Sequence, residues 1–166
     1  MRRVRRIPIA RIEEFARLAP VATHLVVDVD GTLLPFDRVR ASQEAVGRLR
    51  DLVGAHRPHT VCVATNARGK VRLSAEYEGI PVTYVTRARK PWTRRRRLDA
   101  PCEASAAACL RAVVGDQVLT DGLLALRLDA VFIHVTSPGA HEPPGSRLMR
   151  LVGRLLIPFL FRREAG

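Results

Sequence analysis

The residues with the most chemistry in this sequence are Asp28 and Asp30, separated by Val29 and followed at once by Gly31 and Thr32. In an extended chain, side chains two positions apart point to the same side. The two carboxylates therefore suit a hard cation, or a nucleophile paired with an acid. The plain alternative is an acidic loop after a strand. Polar residues of complementary type recur downstream as Thr65-Asn66, Lys90, Asp116 and Asp121. They add a hydroxyl donor, a cation and further acids. That set suits phosphoryl transfer with a metal.

The mechanism can be assembled from these parts. Asp28 is the candidate nucleophile, forming an aspartyl-phosphate. A free carboxylate repels a phosphate, so cations are required. Mg²⁺ takes a few carboxylates and keeps waters, which fits Asp28 with Asp116, and Asp121 is a further acid nearby in sequence. Lys90 can neutralise both the nucleophile and the transferring group. Thr65 and the backbone N–H groups after Asp28, at Gly31 and Thr32, can donate to phosphate oxygens. Asp30 can protonate the leaving oxygen and then activate water. Asn66 serves either phosphate contact or a turn, and Asp121 either metal binding or the cap of the next helix.

The elements that must position these residues are legible as alternating strands and helices. Residues 24–30 are a hydrophobic strand suited to burial on both faces. Further strands are expected at 60–64, 82–85, 110–114 and 130–135. Between them, a helix after Ser42 carries Val46, Leu49, Leu52 and Val53 on one face, and another covers about 68–77. Residues 92–109 read as a broken helix, interrupted by Pro101 and bearing Arg94–Arg97, a run that suits a solvated face or a substrate or membrane contact. Five strands alternating with helices call for a parallel sheet covered on both faces. Each polar group then falls at one sheet edge, where open α/β sheets place ligands.

The two ends of the chain flank this pattern. Residues 1–20 form a basic segment with a short helical stripe of Ile9, Ile12, Phe15 and Ala16 ended by Pro20. Residues 21–140 form the catalytic domain. Residues 141–166 form a linker and an amphipathic helix over about 146–157, disrupted by Pro158, with Arg147, Arg150 and Arg154 on one face. That helix either packs on the sheet or lies on a membrane surface.

With 166 residues, 47% of them hydrophobic, the chain can bury a core. A formal charge of +12 favours anionic partners: phosphate esters, an acidic membrane surface or nucleic acid. Aromatic residues are only 5%, which disfavours a base-stacking platform for nucleic acid. The three cysteines, Cys62, Cys102 and Cys109, lack metal-ligand spacing, and the histidines do not cluster, so zinc is not expected. The absence of a secretory pattern or a long apolar span suggests a cytoplasmic protein, peripheral at most to the inner face of a membrane.

Taken together, the motifs resemble those of the haloacid dehalogenase superfamily. Asp28-Val29-Asp30-Gly31-Thr32 is similar to its motif I, Ala64-Thr65-Asn66 to motif II, Lys90-Pro91 to motif III, and Gly115-Asp116 through Asp121 to motif IV. The resemblance covers about residues 24–136. It implies a Rossmann-like three-layer sandwich with a five-stranded parallel sheet in the order 5-4-1-2-3, and Mg²⁺-dependent phosphatase chemistry on Asp28. It also implies that the backbone carbonyl of Asp30 joins Asp28, Asp116 and Asp121 around the metal. Val114 through Asp121 further resembles the GDQ-x-x-TD signature of the capless subfamily IIIA, which includes phosphatidylglycerophosphatase-like enzymes. The chain departs from that subfamily at Gly31, commonly Asn there, and at 122–127, where only Arg127 matches the usual Asn-Arg ending.

The gaps from Asp30 to Thr65 and from Asn66 to Lys90 hold about 34 and 23 residues, too few for an inserted cap domain beside their own helices and strands. An uncapped site suits a bulky substrate. The expected activity is hydrolysis of a phosphate monoester, on a phospholipid such as phosphatidylglycerophosphate. The alternatives are a nucleic-acid 3′-phosphate, a phosphoprotein or a soluble ester, and a non-catalytic binding module of the same fold. Oligomeric state is not readable from the sequence.

Overall fold

The structure is a computed structural model that describes residues 3–18, 22–34, 36, 43–67, 76–77, 79–98, 110–136 and 142–162. Ser42, most of the helix expected at 68–77, and residues 99–109 of the expected broken helix lie outside these residues. The elements in chain order are β1 (Val4–Ile9), a 3-10 helix (Ile12–Arg17), β2 (His24–Val27), α1 (Gln43–His56), β3 (Thr60–Ala64), β4 (Glu76–Tyr77), β5 (Ile80–Val85), a 3-10 turn (Arg95–Arg97), β6 (Arg111–Gly115), a π-helical turn (Val118–Gly122), α2 (Leu123–Leu128), β7 (Val131–Val135), α3 (Pro144–Leu160) and β8 (Phe161–Arg162).

The strands form one sheet in the order β4-β5-β3-β2-β6-β7-β1-β8. Every neighbouring pair is parallel except β4 with β5. The general kind is the one expected, α/β and Rossmann-like. The sheet differs in number, and its full order is longer: among the described residues it has eight strands, not five, although the five expected ones keep the relative order 5-4-1-2-3. The five expected strands lie side by side as β7-β6-β2-β3-β5, and β1, β4 and β8 extend both edges. Glu76–Tyr77, read as the end of a helix, is the short antiparallel edge strand β4.

The segment read as a basic, partly helical lead is also different. Val4–Ile9 pairs in parallel with β7. Its apolar residues are sent to opposite faces: Ile7 and Ile9 enter one core cluster and Val4 the other. This alternation is the strand signal. In the sequence it is obscured by Arg5 and Arg6 between the apolar positions. Among the described residues of this segment only Ile12–Arg17 is helical, with Ile12 and Phe15 buried.

Two apolar cores lie on the two faces of the sheet. One holds Leu25, Val27 and Val61 against Leu49, Leu52 and Val53 of α1 and Phe15. The other holds Val26, Cys62 and Val113 against Val118, Leu124 and Leu128, with Phe132 and Phe161. Burial on both faces explains why β2, β3 and β6 read as continuous apolar runs. Helix α3 continues through Pro158 to Leu160, and the chain then enters β8. Among the described residues no helix is long and apolar enough to cross a membrane.

Candidate active site

Three central loops bring the polar residues together. Asp28 is the first residue past β2, and its backbone N–H donates to the Val114 carbonyl at 2.9 Å, carrying the β2–β6 pairing to the very edge. Asp116 is the first residue past β6, and the π-helical turn that follows carries Asp121. Lys90 lies in the loop after β5. All four side chains are buried.

Lys90 Nζ stands 2.6 Å from Asp28 Oδ1 and donates to Asp121 Oδ1 at 2.6 Å. The Val29 N–H also donates to Asp28 Oδ1, at 2.7 Å. Asp28, Asp116 and Asp121 each offer a carboxylate oxygen within 4.8 Å of the others. Three carboxylates against one ammonium leave two negative charges uncompensated when all are ionised. The titration behaviour follows. Burial and the neighbouring Asp121 push the Asp28 carboxyl up to about 7, opposed by Lys90. Burial, Asp121 and Asp28 push Asp116 up to about 9. Burial works against the charge on Lys90, but Asp121 and Asp28 more than offset it and hold the ammonium above its usual range.

The donor set fits a hard divalent cation. Both carboxylate oxygens of Asp116 are buried with no hydrogen-bond partner. An unpartnered buried carboxylate is costly unless something positive meets it. Oxygen ligands from a few carboxylates are what Mg²⁺ takes, and the residues do not distinguish it from other hard cations. The backbone is shaped to this acidic cluster. A Cβ on Gly115 would lie 2.3 Å from Asp121 Cγ, and one on Gly31 would lie 2.7 Å from Asp116 Oδ2. Gly31 also has φ +77°, a conformation that favours glycine.

The remaining expected residues sit beside this cluster in supporting positions. The Thr65 hydroxyl donates to Asp30 Oδ2 at 2.9 Å and accepts the Ala67 N–H at 3.0 Å. Asp30 is thus oriented by Thr65, and its side chain is outside the acidic trio. Asn66 brackets the Lys90 backbone: its Oδ1 accepts the Lys90 N–H at 2.7 Å, and its Nδ2 faces the Lys90 carbonyl at 3.4 Å. Its contacts are those of a residue that fixes the lysine loop. Thr32 is buried, and its hydroxyl has no partner.

Two residues near the site were not foreseen. His134 Nε2 faces the Asp116 carbonyl at 3.1 Å, and Arg6 donates to His134 Nδ1 from Nε at 3.0 Å. With Nδ1 accepting, Nε2 carries the proton and donates to Asp116. Burial and the Arg6 guanidinium keep this imidazole neutral, lowering it to about 4. The signal available in the sequence was a polar residue inside the apolar run of β7. Its partner could not be read because β1 was not recognised as a strand.

Comparison with protein-family models, with curated proteins and with solved structures gave no match.

Proposed function

We propose that the chain is a Mg²⁺-dependent phosphatase that hydrolyses a phosphate monoester through an aspartyl-phosphate on Asp28. The observation that carries this reading is the buried Lys90 held 2.6 Å from both Asp28 and Asp121, beside the partnerless carboxylate of Asp116. The four ordered motifs that resemble the haloacid dehalogenase superfamily support it. Asp28, Asp116 and Asp121 would hold the Mg²⁺, which supplies positive charge for the phosphoryl oxygens.

The chain's own residues perform the transfer. Asp28 Oδ2, which carries neither the Lys90 nor the Val29 contact, attacks phosphorus. The bond from phosphorus to the leaving oxygen breaks, and Asp30 in its acid form gives that oxygen a proton. Asp30, now a carboxylate, takes a proton from water as the water oxygen attacks the same phosphorus. The bond to Asp28 breaks, releasing inorganic phosphate and regenerating both aspartates. Lys90 offsets the charge on Asp28 throughout. Thr65 orients Asp30; the N–H groups of Gly31 and Thr32, expected as phosphate donors, instead donate to the Leu34 and Val29 carbonyls at 2.7 and 3.2 Å.

For the substrate we propose a phosphate ester on a phospholipid, of the phosphatidylglycerophosphate type, met at the cytoplasmic face of a membrane. Support comes from the basic charge and the absence of room for a cap. Turnover of an aryl phosphate should require Mg²⁺ and fall at least about 10³-fold in Asp28→Asn. Undiminished turnover in that variant overturns the mechanism, and no turnover in the parent protein favours a binding module. A screen of phosphatidylglycerophosphate, phosphopeptides and 3′-phosphorylated oligonucleotides identifies the substrate class.

A further inference from the structure

Helix α3 presents its apolar residues the wrong way round for a helix that only packs on its own domain. Its inward line is narrow. Gly153 is buried against Val118, where a Cβ would come within 2.8 Å of Val118 Cβ. Ile157 and Leu160, four and seven positions on, pack against the same core. At about 100° per residue, the face opposite this line carries Leu148, Leu151, Val152, Leu155 and Phe159. These are 63%, 59%, 40%, 68% and 70% exposed, respectively. A surface helix of a water-soluble domain places polar residues there.

The flanks of α3 indicate what covers that face. Arg147, Arg150 and Arg154 form one row between the apolar face and the protein body, and with Pro144, Leu148 and Leu151 they line a shallow groove. Arg150 pairs with Glu142. The helix contains no Asp or Glu among its 17 residues. A second copy of the chain docked face to face would bring like arginine rows together on two molecules each carrying +12. A neutral apolar partner would leave the row unused. An anionic lipid surface satisfies both features: apolar side chains enter the acyl boundary while arginines reach the headgroup phosphates.

We propose that α3 is an in-plane docking helix for an anionic lipid bilayer, with Leu148, Leu151, Leu155 and Phe159 inserted and Arg147 and Arg154 at the level of the lipid phosphates. The helix packs on the Val118–Gly122 turn that carries Asp121, so docking would fix the position of the acidic cluster relative to the membrane. This deepens the proposed phosphatase reading by giving its substrate a location, but it is tested by binding alone.

The test is flotation of the full chain with vesicles of phosphatidylcholine mixed with phosphatidylglycerol, against phosphatidylcholine alone. The expected result is binding to the mixed vesicles that weakens with added salt, with little on the neutral ones. Leu151→Glu/Leu155→Glu and Arg147→Glu/Arg154→Glu should each lower binding roughly tenfold or more. Both should keep the parent's circular dichroism, because the substituted side chains are exposed. Aryl phosphate turnover, where present, should be unchanged. Three outcomes overturn the proposal: no flotation at low salt, equal flotation of the variants, or a dimer in light scattering that the Leu151→Glu/Leu155→Glu variant abolishes. Loss of aryl phosphatase activity alone bears on the catalytic reading and leaves this one standing.

Discussion

Asp116 and His134 show how far a few ångströms of burial can change a group's behaviour. Asp116 is raised from 3.8 to about 9, so over that range the folded protein keeps a proton that the unfolded chain has lost. Stability must then fall as pH rises. In chelator, thermal melts should show this decline, and Mg²⁺ should raise the melting temperature more at the alkaline end. Asp116→Asn should flatten the slope and remove most of the Mg²⁺ effect; an unaltered Mg²⁺ shift would exclude Asp116 as a ligand. His134 has the opposite sign. Its folded value of about 4 lies below the usual 6.5, so its contribution is present above pH 6.5 and is lost as pH falls toward 4. At full loss this is about 3 kcal/mol. His134→Gln keeps a donor for the Asp116 carbonyl but cannot titrate. Chemical denaturation between these pH values should show a smaller acid loss in that variant than in the parent, and equal losses would mean His134 is not the group responsible. The identities of the central side chains were legible because each follows an apolar strand. Their partners were not. Nothing in the sequence shows that Thr65 turns to Asp30, or that Asn66 holds Lys90 by its backbone.

At the scale of elements, the central strands were legible because burial on both faces writes an unbroken apolar run. The edges were not, because their signals are short or mixed with charge. Strand β8 has only two residues, Phe161 and Arg162, and it exists through its pairing with β1, where Val4 lies opposite Phe161. Phe161 is 2% exposed and stacks on Phe132 with ring centroids 5.3 Å apart. One side chain therefore joins the end of α3 to the core under α2. Phe161→Ala should lower stability by about 3–5 kcal/mol in urea denaturation. A loss below about 1 kcal/mol would show that β8 contributes little. The π-helical turn was likewise invisible to periodicity. Its five residues bring Asp121 back under Gly115, an approach that requires the glycine.

For the molecule as a whole, the two faces of the sheet divide the work. The α1 face is a closed core, whereas the face with α2 and α3 carries Asp121, the exposed Trp92 beside Arg127, and the outward apolar helix. The overall positive charge was legible from composition and the arginine row of α3 from its spacing, but the outward direction of the apolar face required the helix to be placed. One edge of the sheet also has a history in time. Strand β1 is synthesised early, yet both its neighbours, β7 and β8, come much later; Arg6 meets His134 across 128 positions. Until then β1 has no partner on either side and can pair with a neighbouring nascent chain. Arg5, Arg6 and Pro8 are the residue types that blunt such an unpaired strand. The charges and the proline that hide β1 in the sequence are thus the same features that disfavour edge-to-edge pairing of a strand whose partners lie far along the chain.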